Sequence, residues 1–346
     1  MTLRVSVVAG AGYVGGELVR LLLGHPEVVL GQITSDSHPG RVIATVHPNL
    51  RHFPALRFAK PADLDICDVL IVADREPSLG RTLAELRQLA PLVIDCGPRL
   101  RFRDADTFRT WYGGAPESAD ALATAVYGLP ELHRSQLRGA TLVSGAGCSA
   151  VASILSLLPL VRAGWPVLGP AVIEARFGSS AAGSRPEAAS HHPERSGAVR
   201  VFAPAEHRHS AEVVQALGWP AEAVSYSAVA IEMVRGISVS THCLLERPLS
   251  DRDLWAAFRD VYRREPFLRI ASQRSGLHRF PDPRWTLGTN FCDVGFALDR
   301  SGRRLTLMAA LDNLGKGAAG NVIQAMNCAL GMDESLGLGF PGLHPI

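Results

Sequence analysis

The chain has 346 residues, 47% of them hydrophobic, which is enough to bury one large core or two ordinary ones, and chains of this length commonly divide. A formal net charge of +2 leaves no nucleic-acid footprint and no polybasic tail, so neither nucleic acid nor a membrane surface is an expected partner. Six cysteines (Cys67, Cys96, Cys148, Cys243, Cys292, Cys328) occur without a CxxC pair or metal-like pairing with histidine; they are expected as reduced thiols in a cytoplasmic protein without disulfides or a bound metal.

The start, "MTLRVSVVAGAG", has no charged n-region ahead of a signal-like apolar stretch, and the longest apolar runs are too short to span a bilayer, so a soluble protein is expected. From Leu3 a β-branched run turns at glycines and continues with Leu18, Val19, Leu21, Leu22 and Leu23 in helical register. It stops at Gly24 and returns as "EVVLGQITS", which spells a βαβ unit. Further buried strands are legible in "ICDVLIVAD", "APLVIDCG" and "GATLVSGAG", with "SLGRTLAELRQLA" as a helix among them. Residues 1–147 are therefore expected to form an α/β, Rossmann-type doubly wound parallel sheet.

After Cys148 the pattern changes. A helix is followed by strands in "GPAVIEARFG", "VSYSAVAIEMV", "GISVSTHCLLE" and "RRLTLMAALDN", with an amphipathic helix in "SDRDLWAAFRDVYRREP". Residues 148–312 read as an α+β domain with a largely antiparallel sheet. The tail "KGAAGNVIQAMNCALGM" is a helix whose small-residue start suits packing on a glycine-rich loop, so 313–346 is expected to return to the first domain.

Gly10, Gly12 and Gly15 form G-x-G-x-x-G between a strand and a helix, the context in which backbone N–H groups approach a pyrophosphate. Asp36 lies about twenty residues on, where an acid accepts from the ribose 2′-OH of NAD and repels a 2′-phosphate. Ser35, Ser37 and Arg41 are the alternative, since they suit cradling that phosphate, and an ordinary turn aspartate in "SDSHPG" is the plain one.

Cys148 follows the turn "GAG" at the first turn of a helix, where exposed N–H groups and the helix dipole stabilise a thiolate. Cys67, Cys243 and Cys328 suit small core hydrophobes instead. A nucleophilic thiol needs a proton partner, and His191, His192, His207 and His209 cluster in "SHHPERSGAVRVFAPAEHRHSAEVV". Metal binding is the rival for these imidazoles, but neither cysteine ligands nor an HExxH spacing accompanies them.

The blocks "GAGYVGGELVRLLLGHPEV", "VYGLPELHRSQLRGATLV", the Cys148 loop, "HRHSAEVV", "VRGISV" and "LDNLGKGAAGNVIQAMNCALG" follow in order those of the N-acetyl-gamma-glutamyl-phosphate reductase family, which the chain resembles over nearly its whole length. "SSAAGSRPEAASHHPERSGAVRVFAPAEHRHSAEVV", "HRFPDPRW" and "LGFPGLHPI" resemble the branch that reduces 2-aminoadipate 6-phosphate held on a small acidic amino-group carrier protein in lysine synthesis. Some of that branch also take the glutamyl analogue for arginine.

The resemblance implies that Cys148 attacks the acyl phosphate, releases phosphate and holds a thioester that NADPH reduces through a thiohemiacetal to the semialdehyde. It implies an acid/base at His207 or His209, with His209 favoured, and pyrophosphate contacts from Gly10, Ala11, Gly12 and Gly15. It further implies a cofactor contact from Asn313 and substrate contacts from Ser179, Ser180 and Arg235. His191, His192 and Arg195, with Arg200 and Arg208, are expected to read the carrier's acidic tail, and a homo-oligomer, dimer or tetramer, is expected.

The chain departs from the family pattern at Ala9, where relatives carry glycine, in "VADREPS" and in "DCGPRLRF". The branch's arginines after the second strand are also replaced by Asp36 and Ser37, which argues for NADH alongside NADPH. Two rival functions are an N-acetyl-glutamyl-phosphate or aspartate-semialdehyde type reductase on a small free substrate, and a non-catalytic dinucleotide sensor or carrier-docking subunit.

Overall fold

The computed structural model describes residues 2–74 and 82–346. Seven strands build its first sheet: β1 (Leu3–Val8), β2 (Val28–Thr34), β3 (Phe58–Ala59), β4 (Val69–Val72), β5 (Leu92–Asp95), β6 (Val126–Gly128) and β7 (Leu142–Gly145). They lie in the order β3-β2-β1-β4-β5-β7-β6, and every pairing is parallel. The inner strands β4, β5 and β7 are buried along their whole length, which is why they read as unbroken apolar runs rather than alternating ones.

Helices α1 (Tyr13–Leu23), α2 (Leu83–Arg87), α3 (Ala105–Tyr112), α4 (Ala119–Thr124) and α5 (Pro130–Leu137) accompany this sheet. Their starts obey capping chemistry: Thr82 and Glu85 close a capping box on α2, Asp104 caps α3 and Ser118 caps α4. Because β2 lies on one side of β1 and β4 on the other, the strand order reverses at the carboxyl end of β1, where doubly wound sheets open their ligand crevice.

The second sheet follows α6 (Cys148–Arg162) and contains β8 (Ala171–Phe177), β9 (Val199–Ala203), β10 (Val224–Ile231), β11 (Ile237–Leu244), β12 (Leu268–Ile270), β13 (Cys292–Leu298) and β14 (Arg304–Leu311). Its order is β12-β13-β14-β11-β8-β10-β9. The β8/β11, β11/β14, β13/β14 and β9/β10 pairs are antiparallel, as the reading of a largely antiparallel sheet expects, whereas β8/β10 and β12/β13 are parallel. Helices α7 (His192–Arg195), α8 (Arg208–Leu217) and α9 (Asp251–Tyr262) complete it, with α6 packed on β11, β13 and β14 and α8 packed on α6 and β10.

One compact unit runs to Ala146 and takes back Ala318–Gly339; the other comprises Gly147–Gly317 and Phe340–Ile346. The returning stretch is thus shorter than the 313–346 read from the sequence, since 313–317 and 340–346 group with the second unit. Its helix α10 (Gly320–Ala329) packs against α5, and its polar side chains have specific partners. Asn321 donates to the Gly128 carbonyl, Gln324 to Glu131, and Asn327 Oδ1 lies 3.0 Å from His25 Nε2. Among the described residues no helix is long and apolar enough to cross a membrane, and no group of histidine, cysteine and acidic side chains is placed to hold a metal ion.

Candidate active site

The dinucleotide loop belongs wholly to the first unit. A Cβ on Gly10 would stand 2.2 Å from Ile33 Cγ2, and one on Gly15 would stand 2.5 Å from Gly10 Cα, so both glycines are required by packing. Gly12 differs: a Cβ there meets nothing within 4 Å. Gly12 is also the N-cap of α1 and offers no side-chain cap to the helix, so orphan N–H groups face open space where a phosphate would approach. At Gly12 the residues present leave room for a dinucleotide pyrophosphate to approach the start of α1.

Ala9 adopts φ 59°, the left-handed conformation that a glycine takes without strain. His47, which the sequence reading missed, holds the loop from below. Its Nε2 lies 2.8 Å from the Gly10 carbonyl oxygen, and its ring fills the space a Cβ on Gly16 would need. Beyond β2, Ser35 is buried and its Oγ receives the His38 N–H, while Asp36 and Ser37 are exposed. Of the altered "VADREPS" turn, residues 75–78 lie outside the described residues. In "DCGPRLRF", Arg99 is buried against Asp95 at 3.1 Å, and Arg101 ties the carbonyls of Cys96 and Gly145.

The thiol site belongs wholly to the second unit. Cys148 is the first residue of α6, a fifteen-residue helix whose N-cap, Gly147, carries no side chain to satisfy its N–H groups. None of the six cysteines is joined in a disulfide. Cys148 is half-buried, whereas Cys67, Cys243, Cys292 and Cys328 are buried; burial raises the Cys67 thiol and pushes Cys243 up to about 12. Cys96 is also half-buried, but desolvation and then Asp95 push its thiol well up, which makes it a poor nucleophile.

Two glycines let other groups approach Cys148. A Cβ on Gly147 would lie 2.5 Å from Glu212 Oε1 and 2.6 Å from His209 Nε2; a Cβ on Gly317 would lie 2.8 Å from Cys148 Cβ. His209 and Glu212 share one face of α8, with Nε2 and Oε1 3.8 Å apart, and Glu212 Oε2 accepts the Gly147 N–H at 2.8 Å. On the other ring nitrogen, His209 Nδ1 lies 2.6 Å from Ser149 Oγ, which also receives the Tyr226 hydroxyl at 2.6 Å.

His207 plays another part. It is the N-cap of α8, its Nδ1 accepts the His209 N–H, and its ring stacks on Tyr226 at 17°. Burial, and then Arg208, lower its pKa to about 4, so it is neutral near neutrality. Of the two imidazoles, His209 is the one beside Gly147.

Other candidates are placed less directly. Asn313, read as a cofactor contact, turns its amide inward: Oδ1 accepts the Gly236 N–H at 2.7 Å and Nδ2 donates to Ser180 Oγ at 3.0 Å. Ser179 and Ser180 form a turn after β8, with their N–H groups on Met233 and Val234. Arg235 pairs with the buried Asp312 at 2.7 Å. His191 and His192 are exposed at the start of α7, while Arg195 donates to the Phe177 carbonyl and Arg200 to those of Glu194 and Ala189. Both arginines therefore also hold their loop. Glu212 was discoverable from its i,i+3 spacing to His209; Ser149, Tyr226 and His47 gave no such signal.

Residues 4–140 match the family model described as "Semialdehyde dehydrogenase, NAD binding domain", and residues 148–313 match "Semialdehyde dehydrogenase, dimerisation domain". The chain is 47% identical over 352 residues, covering 100% of both chains, to a putative [LysW]-L-2-aminoadipate 6-phosphate reductase of Thermomicrobium roseum. It is 42% identical to the [LysW]-L-2-aminoadipate 6-phosphate reductase of Deinococcus radiodurans, over 99% of this chain and 98% of that one. Among solved structures, aspartate semialdehyde dehydrogenase II of Vibrio cholerae superposes with a TM-score of 0.70 over 95% of this chain and 98% of that one, at 14% identity, a likeness of fold.

Proposed function

The chain belongs to the semialdehyde dehydrogenase family, and from that premise we propose that it reduces the 6-phosphate of 2-aminoadipate carried on a LysW-like protein, releasing phosphate and the semialdehyde. The observation that carries the reading is the convergence on Gly147: the nucleophile candidate Cys148 opens α6 while His209 and Glu212 crowd the glycine before it.

The Cys148 thiolate adds to the acyl carbonyl, the carbonyl–phosphate bond breaks, and phosphate departs with the bond's electron pair, leaving a thioester. The N–H groups at the start of α6 stabilise both the attacking thiolate and the oxyanion that forms beside it. His209 takes the thiol proton and supports the oxyanion by hydrogen bonding, and Glu212 favours its charged form. A nicotinamide dinucleotide held on the loop of Gly10, Ala11, Gly12 and Gly15 would supply the hydride that reduces the thioester, and Cys148 would then leave as thiolate. The family model gives a nicotinamide dinucleotide as the cofactor class. The exposed Asp36 after β2 favours use of NADH together with NADPH.

The segment His191, His192 and Arg195, with Arg200 and Arg208, is the reading for the carrier's acidic tail. The second unit is the homo-oligomerisation surface: Val172 and Leu244 stand exposed on strands whose alternate residues are buried.

Turnover with carrier-linked aminoadipyl phosphate, NADPH and NADH tests the function, with a small acyl-phosphate surrogate in parallel. Arg195→Ala with Arg200→Ala should raise KM for the carrier-linked substrate alone. An equal effect on both substrates means that these arginines act only through the loop they brace.

A further inference from the structure

Tyr226 and Ser149 are buried polar groups with no part in the chemistry above, yet they stand behind its proton carrier. Tyr226 sits in β10 opposite Ile173 of β8, and its ring stacks on that of His207. Its hydroxyl donates to Ser149 Oγ at 2.6 Å, and Ser149 Oγ lies 2.6 Å from His209 Nδ1; all three residues are buried. We propose that Tyr226 and Ser149 are positioning residues for His209, holding its ring so that Nε2 faces Gly147 and Glu212 in either protonation state. This rests on the reading of His209 as the proton carrier for Cys148.

The argument is one of donors and acceptors. A hydroxyl can meet Nδ1 whether that nitrogen bears a proton or a lone pair, because its O–H can rotate. Ser149 therefore keeps contact through a proton transfer with no heavy atom moving. Tyr226 anchors the oxygen: desolvation keeps its phenol protonated, so it is a permanent donor. Receiving that donation makes Ser149 a better donor to a neutral ring and a poorer acceptor from an imidazolium. Around His209 lie Glu212 on α8, His207 at its N-cap, Ser149 on α6 beside Cys148, and, behind Ser149, Tyr226 on β10. Glu212 favours the charged ring and the Tyr226–Ser149 pair opposes it, so removing the phenol oxygen should raise the His209 titration midpoint.

The test follows the ring nitrogens of His209 by NMR in the full-length protein, with the resonance assigned by its loss in His209→Asn. In Tyr226→Phe the midpoint should rise by about half a pH unit, kcat should change and KM should not. An unmoved midpoint in a folded Tyr226→Phe protein overturns the proposal. If that variant does not accumulate folded, Ser149→Ala carries the test: kcat should fall by about tenfold or more with an altered tautomer balance at His209. Unchanged ring-nitrogen shifts there overturn it equally. If His209→Asn keeps full turnover, the reading of His209 fails, while a midpoint shift in Tyr226→Phe still reports the coupling of the two side chains.

Discussion

His47 Nε2 lies 2.8 Å from the carbonyl oxygen of Gly10, a bond from a buried imidazole to the first glycine of the dinucleotide loop. Burial lowers the His47 pKa, so the ring is neutral, and an oxygen that can only accept places the proton on Nε2. His47→Ala should loosen the loop without touching Cys148. Removing a bond worth about 1 kcal/mol should weaken nicotinamide dinucleotide binding about fivefold. Calorimetric titration checks this, and an unchanged affinity would assign His47 to packing alone.

At Ala9, φ is 59°. Left-handed backbone costs an alanine about 1–2 kcal/mol, partly offset by the larger unfolded-state entropy of glycine. Ala9→Gly should therefore stabilise the protein by about 0.5–1 kcal/mol, and Ala9→Val should destabilise it. Chemical denaturation reads both.

Gly147→Ala and Gly12→Ala should fail in opposite ways. The first drives a methyl into Glu212 Oε1 and His209 Nε2, so kcat should fall by about a hundredfold, and overpacking should cost about 1–3 kcal/mol of stability. The second meets nothing in the fold, so Tm should hold while KM for the dinucleotide rises. A Gly12→Ala enzyme with unaltered KM would mean that the pyrophosphate does not approach there.

His207 carries a pH dependence of stability. Its folded pKa of about 4 lies below its ordinary 6.5, so the unfolded chain takes up the proton first. Stability is full above pH 6.5 and is lost as pH falls towards 4, by up to ~3 kcal/mol from this group. His207→Gln should lower the plateau through the lost cap of α8 but flatten the decline between pH 6.5 and 4. Parallel declines in the two proteins would contradict the assignment.

What was legible in the sequence was local. The strand, glycine turn and helix of residues 3–34 are written in consecutive residues, as is the cysteine at the start of α6. The short strands β3 and β12 were not legible, since two and three residues show no period. The environment of His209 was only half legible. Glu212 shares its helix, but Ser149 comes from 60 residues upstream, and Tyr226 looks like any buried strand aromatic. At Asn313 the family block pointed to a ligand, while the hydrogen bonds of its amide to Gly236 and Ser180, which join distant segments, gave no signal in the sequence.

The central claim is that Cys148 is acylated on the reaction path, and intact-mass analysis of enzyme mixed with carrier-linked aminoadipyl phosphate in the absence of reduced nicotinamide tests it most directly. The account predicts release of phosphate in step with a covalent acyl adduct that peptide mapping places on Cys148 and that Cys148→Ser lacks, while Cys328→Ser keeps it. Phosphate release by Cys148→Ser at the wild-type rate, or an adduct mapped to another cysteine, would contradict it.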